Sequence, residues 1–243
     1  MTIPRFNLEF LKTSKPIENH VTKFGGQPTW LTEPEWPLSR GTNDPMRFIC
    51  QIAFSDLALD EPYDKGMAYL FMSDSETLID GELYGAYDQF DPEGGENAVI
   101  LQPGTERLVD TSPLTKGPSL LPKKAMYGFG DQVAAWAQAN EYEEYAVQLL
   151  SANDPAFVSI DDLAEFPDSQ RQQYREKLSG NKLAGVPGFI QPDEFPFSLG
   201  TSQLLLQLDS GKTPFFVDFG DVGVGYLFVE KGSGRARFLW QCG

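Results

Sequence analysis

Four short motifs occur twice along these 243 residues, in the same order. Residues 23–37, KFGGQPTWLTEPEWP, return as residues 182–196, KLAGVPGFIQPDEFP. Lys23, Gly26, Pro28, Glu35 and Pro37 fall on Lys182, Gly185, Pro187, Glu194 and Pro196, at an offset of 159, and Trp30 and Trp36 fall on Phe189 and Phe195. Residues 48–52 align with 204–208 around Gln51 and Gln207, at an offset of 156. Residues 64–71 align with 221–228 under the pattern D-x-G-x-(A/G)-Y-L-F, at an offset of 157, and residues 101–104 resemble 240–243 at an offset of 139. Four matches in one order amount to an internal duplication. Two copies of one unit are expected to pack about a pseudo-two-fold axis, as isologous dimers do.

Each copy reads as a β-meander. The Gly- and Pro-punctuated stretch is a loop or extended segment. The apolar run around each glutamine suits a strand buried on both faces. D-x-G makes a turn, Tyr-Leu-Phe opens a second strand, and residues 98–102 or 238–241 form a third. The last offset is shorter by about eighteen residues, so copy one carries an insertion within residues 73–97. That stretch holds Asp74, Glu76, Asp80, Glu82, Asp88, Asp91, Glu93 and Glu96 and no Lys or Arg. Between the copies, Ala, Trp136, Glu and Leu at helical spacing predict a helix over 131–151 with Asp131 as N-cap. Shorter helices are expected over 159–166 and 167–179, the latter stopped by Gly180. The expectation is an α+β protein, with helices from the middle segment and the N-terminus covering a strand-rich body. It is one domain over residues 1–243, with copy one at about 20–104, a helical connector at about 125–180 and copy two at about 182–243.

Composition excludes several classes. With 41% hydrophobic and 13% aromatic residues the chain is not disordered. Its net charge of −16 opposes binding to nucleic acid and to anionic lipid. No apolar run approaches the roughly 20 residues of a membrane helix, and the opening MTIPRFNLEF does not read as a signal peptide. The two cysteines, Cys50 and Cys242, are too few for a disulfide framework, although a bridge between them stays open. The expected location is the cytoplasm.

Catalytic machinery is hard to find. The single histidine, His20, has no metal-ligand spacing around it and pairs with no serine. There is no G-x-S-x-G elbow, P-loop or G-x-G-x-x-G opening a helix, and no cofactor or metal is expected. The acidic run from Asp88 to Glu96 lacks EF-hand spacing and reads as a solvated loop. Gln51 and Gln207 are amides in apolar strands, which must find partners. They either bond backbone or point into one cleft between the copies; Asp64 and Asp221 either brace the D-x-G turn through an Asx-type bond or join them there. Tyr69, Tyr226, Trp30, Trp36, Phe189 and Phe195 read as core-edge aromatics.

These motifs carry a resemblance. Residues 23–28 with Trp36-Pro37, residues 48–52, residues 183–187 with Ile190-Gln191, residues 205–209, residues 219–225 and residues 239–242 resemble the YwqG-like family, bacterial proteins of unknown function. The resemblance spans roughly residues 20–243 outside the acidic insertion. It implies an α+β body and brings no activity, cofactor or catalytic residue. Relatives often carry a histidine before the second motif; Lys182 stands there in this chain. The expected function is therefore non-catalytic binding. A basic protein partner, as for an immunity-type protein, would dock on the acidic surface at Asp88, Asp91, Glu93 and Glu96. The alternative is a small-ligand protein or enzyme with a cleft between the copies.

Overall fold

The computed structural model describes residues 2–57, 66–73, 77–79, 82–84, 89–104, 106–124 and 142–243. Ten strands form one antiparallel sheet. The first five are β1 (Thr2–Lys12), β2 (Lys23–Gly25), β3 (Arg47–Ala53), β4 (Met67–Met72) and β5 (Asn97–Gln102). The second five are β6 (Glu144–Pro155), β7 (Lys182–Ala184), β8 (Ser202–Asp209), β9 (Val224–Glu230) and β10 (Ala236–Gln241). Across the sheet they run β10-β9-β8-β7-β1-β6-β2-β3-β4-β5, so one half is the mirror of the other. The repeat thus begins upstream of the motifs that mark it.

The halves are interlocked. β2 lies on β6 rather than on β1, and β7 lies on β1 rather than on β6. Each half lends its long first strand to the other. β1 and β6 pair along their whole length, from Thr2 opposite Pro155 to Lys12 opposite Tyr145. The ladder also slips at the same place in both copies, between Phe48 and Cys50 and between Leu204 and Leu206. A bulge there turns two successive side chains to one side. Ile49 with Cys50, and Leu205 with Leu206, accordingly all enter the core shared by the two halves.

Strand alternation divides the core into three parts. Leu70, Met72, Leu227 and Val229 face the shared interior, where Phe6, Leu8, Phe10, Val147 and Leu149 of the central strands also pack. Their neighbours face outward into two private clusters. Tyr69 and Phe71 lie under Trp30 and Trp36, and Tyr226 and Phe228 lie under Phe189 and Phe195. Burial on both faces explains why these strands read as continuous apolar runs.

The expected α+β architecture does not hold. The sheet curls into a nearly closed barrel, and helix is confined among the described residues to short turns and to α1 (Ile160–Ala164) and α2 (Asp168–Leu178). The N-terminus is a sheet strand, not a covering helix. Residues 144–151, expected as the end of a long helix, belong to β6; residues 131–141 of that expectation lie outside the described set. The physical reason is a period of two that the Ala and Leu content disguised. Tyr145, Val147 and Leu149 alternate with Ala146, Gln148 and Leu150, and only the first set reaches the core. The strands at the two ends of the sheet, β5 and β10, come together without a backbone ladder. Arg237 of β10 spans the gap to Glu106 at 3.0 Å and Glu93 at 3.5 Å, and Phe90 meets the Trp240 ring edge-on at 5.9 Å.

Candidate functional site

The repeated G-x-P-x-aromatic stretch is a strap crossing the outer face of each half. Three side chains, one from each strand of the meander, hold its backbone. In copy one, Gln51 Oε1 accepts from Thr29 N–H at 2.8 Å and its amide donates to Val21 O at 2.8 Å. The Tyr69 hydroxyl donates to Thr29 O at 2.9 Å. Gln102 Oε1 accepts from Leu31 and Thr32 N–H, and its amide donates to Glu33 O. Copy two reproduces the set with Gln207 on Gly188 N–H and Gly180 O, Tyr226 on Gly188 O, and Gln241 on Ile190 N–H, Gln191 N–H and Pro192 O. An irregular strap over an apolar face would otherwise bury unpaired amides and carbonyls. The aromatic contacts repeat as well, Trp30 with Tyr69 at 4.8 Å and Phe189 with Tyr226 at 5.0 Å. Burial pushes both tyrosine hydroxyls far up in pKa, so they remain protonated donors.

Each strap is anchored at its start by a buried lysine. Lys23 Nζ donates to Glu144 Oε1 at 2.6 Å and to Ile17 O at 2.7 Å. Lys182 Nζ donates to Asp154 Oδ2 at 2.9 Å and to Val186 O at 2.6 Å, and Asp154 also accepts from Arg5 and from Val186 N–H. Burial depresses both amines, Lys182 to about 8 in spite of its carboxylate partner. Gly26 and Gly185, at φ +66° and +83°, make room for these carboxylates; a Cβ would lie 2.3 Å from the carboxylate oxygen of Glu144 or Asp154.

The copies differ where a cavity opens. The link before β2 is residues 13–22, while the link before β7, residues 156–181, carries α1 and α2. Ser159 caps α1, accepting from Asp162 N–H at 3.1 Å. Asp193 of the strap ties the start of α1 down by accepting from Ile160 N–H at 2.9 Å. Thr29 of copy one is Gly188 in copy two, and a Cβ there would lie 2.9 Å from Leu178 Cβ and its carbonyl oxygen. That absence lets the end of α2 approach, and Leu178 O takes over as the partner of the Gln207 amide where Thr29 Oγ1 serves Gln51. Met67 is likewise replaced by the smaller Val224. Between α1, α2, strap and sheet lies a cavity of about 360 Å³. Leu163, Leu178, Phe189 and Val224 line it among other apolar side chains, with Gln207, Asp193 and Asp209 as polar groups. Tyr174 also lines it, its hydroxyl pushed up by burial first and then by the field of Asp193.

The residues singled out from sequence are not brought into one cleft. Gln51 and Gln207 each bond the backbone of their own half, and the cavity at Gln207 does not include Gln51. Asp221 is exposed and its carbonyl accepts from Gly243 N–H; Asp64 and Asp88 lie outside the described residues. Glu96 is buried, accepting from Ser39 Oγ at 2.7 Å and Gly41 N–H at 2.8 Å. Asp91 Oδ1 accepts from Glu93 N–H, and the exposed Glu93 side chain reaches toward Arg237. His20 is exposed, with Nε2 3.2 Å from Trp30 O. Cys50 and Cys242 are unpaired. No group of His, Cys, Asp and Glu among the described residues is placed to hold a metal ion, and no helix there is long and apolar enough to cross a membrane. Sequence reasoning missed Gln102, Gln241 and the cavity. Their signals were present in the duplicated Gln of LQPG and WQCG, in Gly188 and Val224 facing larger residues of copy one, and in the longer link before Lys182.

The family model of a domain of unknown function, DUF1963, matches residues 22–238, both copies included. A comparison with curated proteins finds no match.

Proposed function

The chain belongs to the DUF1963 family, and we propose that it is a non-catalytic protein that binds a small molecule in the copy-two cavity. The observation that carries this reading is the asymmetry of the duplication. The Gln, Tyr and Lys side chains that hold the straps are repeated, whereas the helices, Gly188 and Val224 that create the cavity occur in copy two alone among the described residues. A volume of about 360 Å³ with an apolar floor and polar groups on its walls has the character of a small-ligand site. The narrower YwqG-like, bacterial assignment rests on the motifs quoted above, and a cytoplasmic location on the two free thiols.

The test is binding of a neutral solvatochromic naphthalene dye. The wild type should bind it with a blue-shifted emission. Val224→Met, which restores the residue of copy one, should weaken binding at least fivefold with little change in melting temperature. Equal binding by the variant, or none by the wild type, refutes the reading. A second reading, docking of a basic protein through residues 73–97, draws on the net charge of −16 and the exposed Glu93. Neutralising Asp88, Asp91 and Glu93 should then slow association with a captured basic protein and flatten its salt dependence; unchanged kinetics would refute it.

A further inference from the structure

We propose that the cavity takes a cationic amphiphile, an apolar ring or branched chain bearing one ammonium group that meets Asp193. This rests on the ligand-binding reading above and adds the class of ligand. The neutral polar side chains of the lining already have partners, the Ser179 hydroxyl donating to Glu176 O at 2.9 Å. The Gln207 amide is committed to Gly188, Leu178 and Gly180. The Tyr174 hydroxyl accepts from Val158 N–H and donates to Ala156 O. What remains toward the ligand is carboxylate. Asp193 uses Oδ2 on Ile160 N–H, and its Oδ1 accepts no hydrogen bond from the described residues. Asp209 Oδ1 accepts from Gly211 N–H, and Oδ2 lies 3.0 Å from Lys212 Nζ. Glu176 stands at the rim, its Oε1 on Gln172. Arg175, the one cation of the lining, is exposed on α2 and forms no ion pair with these groups among the described residues.

With Asp209 balanced by Lys212, the carboxylates of Asp193 and Glu176 against one outward-lying guanidinium leave the cavity with a negative field over an apolar floor. An anionic ligand would meet that field unfavourably, and a neutral donor would bring no opposing charge to the open oxygen of Asp193. An ammonium group supplies the donor and the opposite charge together, and a charge-assisted bond is strongest where solvent is partly excluded. The apolar body would lie on Leu163, Phe189 and Val224.

The experiment is calorimetric titration of the full chain with three probes sharing one body: 2-(1-naphthyl)ethylamine, 2-(1-naphthyl)ethanol and 1-naphthylacetate. The expected result is an amine bound at least tenfold more tightly than the alcohol, with the acetate weakest. Asp193→Asn keeps an oxygen for Ile160 N–H and removes the charge. It should cut the amine's advantage to threefold or less while leaving the alcohol's affinity and the melting temperature close to wild type. An alcohol that binds as tightly as the amine overturns the proposal and leaves the cavity reading standing, as does an advantage unchanged in the variant. Binding of none of the three overturns both.

Discussion

The buried amine of Lys182 makes a prediction about pH. Lys182 and Asp154 are both fully buried, and the amine lies 2.9 Å from the carboxylate. Desolvation outweighs that partner, bringing the amine from its ordinary 10.5 to about 8, with Arg5 opposing it further. The drop corresponds to about 3 kcal/mol of stability withheld while the amine is charged. The sign follows from proton binding. Below pH 8 both folded and unfolded chains hold the proton and the cost is present in full. Between about 8 and 10.5 the unfolded chain binds more protons than the folded one, so stability rises by up to about 1.4 kcal/mol per pH unit. Above 10.5 the cost is gone. Lys182→Met removes the titration and leaves Asp154 with Arg5 and Val186 N–H. Urea unfolding of wild type and variant from pH 7 to pH 10 cancels the lysines and tyrosines common to both. The wild type should gain about 2–3 kcal/mol on the variant across that range. A gap that stays constant would show that Lys182 is not charged in a desolvated site, and the reasoning would fall.

The strap clamps and their glycines give two further expectations. Gln241→Leu strips an acceptor from two strap N–H groups, and Gln102→Leu from Thr32 N–H, Leu31 N–H keeping the Tyr69 hydroxyl at 3.0 Å; each should cost about 2–4 kcal/mol in urea unfolding; a loss below about 1 kcal/mol in both would mean that water replaces the side chain freely. Gly26→Ala and Gly185→Ala combine positive φ with a Cβ thrust against the carboxylate paired to the buried lysine, so each should destabilise by about 2 kcal/mol or more. Thermal melts of both variants matching the wild type would refute the assigned role of those glycines.

The sequence by itself determined the parts of this protein whose residues have local, obligatory partners. Lys, Gly, Pro, Gln and Tyr recur at fixed offsets because a strap over an apolar sheet needs the same donors, acceptors and room in both copies. For the same reason the meander strands β3–β5 and β8–β10 were legible, as were α1 and α2 with the Gly180 stop. β1 and β6 were not, since their sequences have diverged and half-exposed alternation of Ala, Leu and Glu also fits a helix. Only the tertiary structure decided that each half lends its first strand to the other, because pairing between residues 5 and 184 or 25 and 144 leaves no local trace. It also decided that Gln51 and Gln207 serve separate straps and that Glu96 turns inward. The cavity likewise belongs to the packing: Gly188 is one small residue in the sequence, and it becomes a binding wall only when the end of α2 comes to rest against it.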